Sequence, residues 1–122
     1  MQIGDLAKKT NKTIDTLRYY QSLGLIESKK KGKNYYFTTV DINIIEAIDI
    51  FKNIGLSLSD IKSIISLNNT NKSIDDYTID ELMSVKNILE NCLDQNKKRE
   101  ENIKKSYLII NKMLEKLGDK IW

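Results

Sequence analysis

Residues 16–26 read TLRYYQSLGLI, and this stretch decides how the first third of the chain is read. Eighteen of the 20 basic residues are Lys; only Arg18 and Arg99 are Arg. A chain so rich in Lys, Asn and Ile keeps an Arg where Lys will not serve, and one of the two stands directly before Tyr19 and Tyr20. Upstream, Thr13 has the character of an N-cap, and Ile14, Leu17, Tyr20–Gln21 and Leu23 follow at helical spacing. Gly24 supplies the left-handed conformation that ends a helix. Before it, Ile3, Leu6 and Ala7 mark one face of another short helix, broken at Thr10-Asn11-Lys12. Two short helices joined by a three- or four-residue turn form a helix-turn-helix.

Working outward, residues 27–38 read ESKKKGKNYYFT. The turn-like KGKN followed by aromatic and β-branched residues predicts a β-hairpin, a wing with its basic tip at Lys30–Lys33. A third helix is expected over 39–54, with Thr38 and Asp41 at capping-box spacing and Ile42, Ile45, Ile48 and Phe51 inward. Gly55 ends it. Ser57 and Asp60 repeat the cap signal for a fourth helix with Leu58, Ile61, Ile64 and Ile65 inward. Residues 68–77, NNTNKSIDDY, have turn composition. After the Thr78/Glu81 cap, neither Gly nor Pro occurs before Gly118, which predicts a helix of roughly 55–60 Å. Its seam runs Leu82, Val85, Leu89, Cys92, Asn96, Arg99, Ile103, Ser106, Ile110, Met113, Leu117, apolar at both ends and polar at the waist. A 66-residue head cannot cover so long a stripe, so a partner helix is required, and a homodimer is the economical solution.

The expected architecture is therefore mostly α: a winged helix-turn-helix head (1–67), a loop (68–77), a dimerisation helix (78–117) and a short tail (118–122). The bulk composition agrees, with 122 residues, 40% apolar and 30% charged, as in a globular rather than disordered chain. No apolar run is long enough to span a bilayer and MQIGDLAKK has no secretory core, so a cytoplasmic protein is expected. The single Cys92 builds no internal disulfide, in keeping with a reducing compartment. The chain has no His, which leaves out a four-ligand zinc site and a Cys–His nucleophile pair. The five glycines stand apart, so there is no phosphate-cradling loop. Neither an enzyme nor a resident metal or cofactor is expected.

Charge points to the partner. Residues 1–38 carry eight basic groups against three acids, while the remaining 84 residues carry 12 against 14. A basic first third on a nearly neutral body favours double-stranded DNA over a membrane. Arg18 offers a planar fork to a phosphate in two parallel hydrogen bonds, and the hydroxyls of Tyr19 and Tyr20 reach the same backbone. These contacts position the protein; Thr13, Asp15 and Thr16, at the start of the helix, are placed for base edges. The alternative has Tyr19 or Tyr20 filling the core and Arg18 paired with a surface acid. Lys29, Lys30, Lys31 and Lys33, flanked by Tyr35 and Tyr36, suit phosphate contact, although such a run also occurs as a plain solvated turn.

The segments IGDLAKKT, TIDTLRYYQSLGLI, NYYFTTVDI and GLSLSDIKSII together resemble the MerR family of transcriptional regulators over residues 2–66. The resemblance implies a dimer, joined by an antiparallel coiled coil, on a pseudo-palindrome inside a promoter. There it distorts the DNA so that misphased promoter elements become readable by RNA polymerase, with effector binding switching the distortion. Four departures stand out: Gln21 replaces the usual Glu, no Pro follows GLI, Tyr35 stands where the wing has its usual Arg in a wing about two residues shorter, and the cysteine pair of metal-sensing members is missing. Metal sensing is not expected, nor is a large C-terminal drug-binding domain.

An effector, small molecule or protein, would find Ile74, Tyr77 and Trp122 near the loop, although Trp122 equally suits the end of the dimer core. Cys92 reads as a small buried seam residue before a redox sensor. Antiparallel pairing about residues 97–98 would set Cys92 near Ile103, and Asn96 opposite Arg99 of the partner subunit. Competing readings are a DNA-architectural protein of the excisionase type and a coiled-coil interaction adaptor.

Overall fold

The computed structural model describes residues 1–67 and 73–121. Helix α1 (Ile3–Thr10), α2 (Ile14–Ser22), strands β1 (Lys29–Lys31) and β2 (Asn34–Tyr36), α3 (Thr39–Asn53), α4 (Leu58–Ser66), a single 3₁₀ turn (Ile74–Asp76) and α5 (Ile79–Ile121) follow in order. They form two compact units, Met1–Val85 and Lys86–Trp122.

In the first unit, α1 packs on α2 and α3, and α3 packs on α4. Leu6, Leu17, Tyr20, Leu25, Ile26, Phe37, Ile45, Ile48 and Ile61 make one buried cluster, so every element of the head contributes at least a flank to the core. The turns between helices follow from backbone chemistry. After α2, Gly24 adopts φ +75°; its N–H reaches the Gln21 carbonyl and the Leu25 N–H reaches back to Tyr20. This paired closure satisfies the last carbonyls of the helix and turns Leu25 and Ile26 into the core. Gly55 repeats the closure after α3, with its own N–H on Lys52 and that of Leu56 on Phe51. After α1 the left-handed residue is Asn11, a side chain that tolerates this region.

Helix starts are equally legible. Thr13 Oγ1 accepts the Thr16 N–H at 3.1 Å, Ser57 Oγ the Asp60 N–H at 3.1 Å, and Thr78 Oγ1 the Glu81 N–H at 3.1 Å. At α3 Thr38 and Asp41 form the expected capping box, in which Asp41 accepts the Thr38 N–H at 2.9 Å. The wing pairs Lys29 with Tyr36, Lys30 with Tyr35 and Lys31 with Asn34. Its two-residue turn has positive φ at Gly32 alone, the pattern of a II′ turn, whose twist matches that of the strands. Extended Met1 ties the wing's exit down: its ammonium donates to the Phe37 carbonyl at 2.9 Å and its carbonyl accepts the Phe37 N–H at 2.6 Å.

The second unit is the remainder of α5. The whole helix has 43 residues, about 65 Å at 1.5 Å each. It runs through Gly118, the residue expected to end it. One glycine inside a helix costs about 1 kcal/mol, and nothing after it forces the chain left-handed. Val85, expected in the inter-chain seam, is already buried within a single chain, 6% exposed. None of the helices among the described residues is long and apolar enough to cross a membrane.

Candidate nucleic-acid interface

Helix α2 divides into two faces. Leu17 and Tyr20 point into the core, while Ile14, Asp15, Arg18, Tyr19 and Ser22 are exposed and share the opposite face at spacings of three and four. Tyr20 is only 3% exposed, which corrects its expected place among the DNA contacts. Leu17 fixes the inner face, and the residue three later must share it. Tyr19 stays outside, its carbonyl accepting the Ser22 hydroxyl at 2.6 Å. Ile14, apolar and at helical spacing with Leu17, is 42% exposed; it opens the first turn and lies beyond the reach of the core. Thr13 and Thr16 are joined, hydroxyl to hydroxyl, at 2.8 Å. Asp15 stands in the first turn, where its charge complements the helix dipole.

The wing brings its cations to the surface. Lys29, Lys30, Lys31 and Lys33 are all exposed. Alternation along β1 sends Lys30 to one face and Lys29 and Lys31 to the other. Lys30 Nζ lies 5.8 Å from the centre of the Tyr35 ring on the paired strand, a cation–π contact. Tyr35 is exposed and Tyr36 half-buried.

An open cleft of about 370 Å³ is lined by Gln2, Arg18, Gln21, Ser28, Tyr35 and Phe37. Of these, Gln21 donates through Nε2 to Ser28 Oγ at 3.2 Å. Arg18 has no hydrogen bond or ion pair among the described residues, so the alternative of a surface acid holding it does not apply. Lys12, by contrast, is taken up by Asp49 of α3 at 2.7 Å.

The model of the MerR HTH family of regulatory proteins matches residues 1–67. The chain belongs to that family. An HTH-type transcriptional regulator of Haemophilus influenzae, a ZntR homolog, is 36% identical over 74 residues, 59% of this chain and 55% of the relative. This MerR-family chain thus spans about half of that relative's length. A MerR family transcriptional regulator from Bacillus thuringiensis superposes with a TM-score of 0.58 at 28% identity, covering 92% of this chain and 97% of the other. A MerR family protein from Listeria monocytogenes shares the fold with a TM-score of 0.71 at 17% identity, over 99% and 88% of the two chains. The relatives are transcriptional regulators, not enzymes. No cluster of metal-binding side chains occurs among the described residues.

The remaining sequence-derived sites fall on α5 and the segment before it. Ile74 is exposed in the 3₁₀ turn, and the half-buried Tyr77 donates its hydroxyl to the Ser66 carbonyl. Trp122 lies outside the described residues. Leu82, Cys92 and Asn96 are half-buried, with the Asn96 amide 3.9 Å from the Cys92 sulfur. Leu89, Arg99, Ile103, Ile110, Met113 and Leu117 are exposed. Exposed Tyr107, Leu114 and Ile121, absent from the expected seam, lie on the same stripe at 103, 107, 110, 114, 117 and 121. From Ile103, steps of four then three reach these residues, whereas steps of three then four pass through Ser106 and Met113.

Proposed function

We propose that this MerR-family regulator binds a pseudo-palindromic promoter site as a homodimer and acts by distorting the DNA. The observation that carries the reading is the exposed, unpaired Arg18 on α2 beside a wing carrying four exposed lysines. In this reading the N-terminal part of α2 enters the major groove, with Asp15 and Thr16 at base edges and Ile14 against a thymine methyl. Thr13 sits at the same edge, its hydroxyl shared with the cap. Arg18 and Tyr19 hold the backbone, and Lys29, Lys30, Lys31, Lys33, Tyr35 and Tyr36 extend the grip along the duplex.

The two heads are joined through α5. The stripe from Leu89 through Ile103 and Ile110 to Leu117 meets its equivalent in antiparallel fashion, with Cys92, Asn96 and Arg99 at the polar waist. Bending the duplex costs a few kcal/mol that contacts from both heads offset; RNA polymerase then meets the altered promoter in the cytoplasm. Ile74 and Tyr77 mark where an effector, small molecule or protein, would act.

Fluorescence anisotropy on a labelled fragment upstream of the gene, against a scrambled duplex and across a salt series, tests the reading. A specific regulator binds the first tightly, with a slope of log Kobs on log [salt] that becomes shallower in Arg18→Ala. Equal, weak binding to both indicates an architectural protein, and no binding at low salt an adaptor.

A further inference from the structure

Two seams run along α5 beyond its waist. The uninterrupted heptad frame of Leu82, Leu89 and Asn96 continues through Ser106 and Met113. The other passes through Tyr107, Ile110, Leu114, Leu117 and Ile121, all of them exposed in the single chain. It is apolar or aromatic at every position, so it is the stripe with more to gain from cover. Following it shifts the heptad frame by four residues at the waist, a stutter.

Antiparallel pairing lays this seam against its own reverse across a two-fold axis, so a centre serves only where the two match. A centre between Arg99 and Glu100 sets 82 level with 117, 85 with 114, 89 with 110, 92 with 107 and 96 with 103. It overlaps nearly the whole of Ile79–Ile121. It also sets Arg99 level with Glu100 of the partner subunit, twice about the axis. Centres half a heptad away, at 96 and at 103, match as well, but they shorten the overlap and set Arg99 level with Leu93 or Tyr107. A centre at 97–98 suits the uninterrupted frame and puts Leu114 level with Glu81 and Leu117 with Thr78. A parallel pair sets Arg99 against itself, like charge on like charge.

We infer that two copies of this chain pair through α5 in the register centred between Arg99 and Glu100, where two reciprocal Arg99–Glu100 pairs select orientation and register. The inference rests on the dimer of the reading above and deepens it. The two functions are separable. The apolar layers on either side drive association, whereas the charges at the waist choose among alignments that the apolar layers alone would tolerate.

Cys92 is the single cysteine of the chain and serves as the reporter. A second cysteine is placed on α5 as Glu100→Cys, Ile103→Cys, Tyr107→Cys or Leu114→Cys, the residues level with Cys92 in the four antiparallel registers. Each is exposed in the single chain, so the head stays intact, as thermal unfolding checks. A disulfide closes only where the Cα atoms come within about 7 Å. Under mild oxidation, read by peptide mass mapping, Cys92 is expected to link to position 107 well above the other three and not to itself in the wild type. A charge swap gives the second readout. Arg99→Glu is expected to weaken dimerisation about tenfold in sedimentation, and Arg99→Glu/Glu100→Arg to return it to within a few-fold of the wild type. Adjacent residues of one helix do not face each other, so that recovery reports contact between chains. Linkage of Cys92 to 100, 103 or 114 equal to or above that to 107, a Cys92–Cys92 disulfide in the wild type, or a swap that restores nothing overturns the inference while leaving the dimer standing. A wild type that sediments as a monomer at micromolar concentration overturns both.

Discussion

The head and the long helix treat their apolar residues in opposite ways. In the head, Leu6, Leu17, Ile45, Ile48 and Ile61 are almost wholly removed from water. Along α5 beyond Val85, Leu89, Leu93, Ile103, Tyr107, Ile110, Leu114, Leu117 and Ile121 all remain exposed in the single chain. A folded head closes on itself because short helices turn sharply at left-handed residues and bring inner faces together. A lone helix has no such return, and its stripe stays in water until something covers it. The contrast teaches that one part of the chain buries its own apolar residues, and that the other, in the proposed dimer, is stabilised by concentration.

The sharpest way to break that contrast is to charge the stripe. Ile110→Glu combined with Leu117→Glu is expected to convert a dimer to monomers in sedimentation velocity at micromolar concentration, and to lower affinity for a two-half-site duplex by a hundredfold or more. The head should keep its own unfolding transition. A smaller effect of the opposite kind comes from the core: Ile48→Ala should cost about 2–5 kcal/mol of head stability by chemical denaturation, without changing the association of α5. Gly24→Ala isolates the turn. A Cβ there meets only the end of Lys62, at 3.8 Å, so the cost is conformational, about 1–2 kcal/mol for the left-handed backbone, visible as a lowered melting temperature. Lys12→Met, which removes the partly exposed pair with Asp49, should cost less than about 1 kcal/mol and leave DNA affinity within a few-fold; a tenfold loss would make Lys12 a phosphate contact.

Much of this was legible in the residues because local chemistry set it. Thr13, Ser57 and Thr78 announce helix starts, Gly24 and Gly55 announce ends, and Gly32 sits where a tight hairpin needs it. The TLRYYQSLGLI segment likewise marked the helix with Arg18 exposed. What escaped was set by packing. Whether Tyr19 or Tyr20 is buried depends on the rotation of α2, fixed by Leu17 against the core. Ile14 is apolar yet outward because it lies at an end the core does not reach. Val85 looks like one more seam residue until the start of α5 is seen to belong with the head unit. Gly118 carries the residue type of a stop without the left-handed turn that makes one. The Gln21–Ser28 link joins residues seven apart across a chain reversal, and no periodicity announces it.

In the proposed function two copies of this chain read one DNA site. Sedimentation velocity of the protein with a labelled duplex from upstream of the gene, at a fixed salt concentration, tests it most directly. A single complex carrying two 14.1 kDa chains per duplex is expected, with no one-chain complex at substoichiometric protein. A complex carrying one chain per duplex, formed with the same affinity by the Ile110→Glu/Leu117→Glu variant, would contradict it.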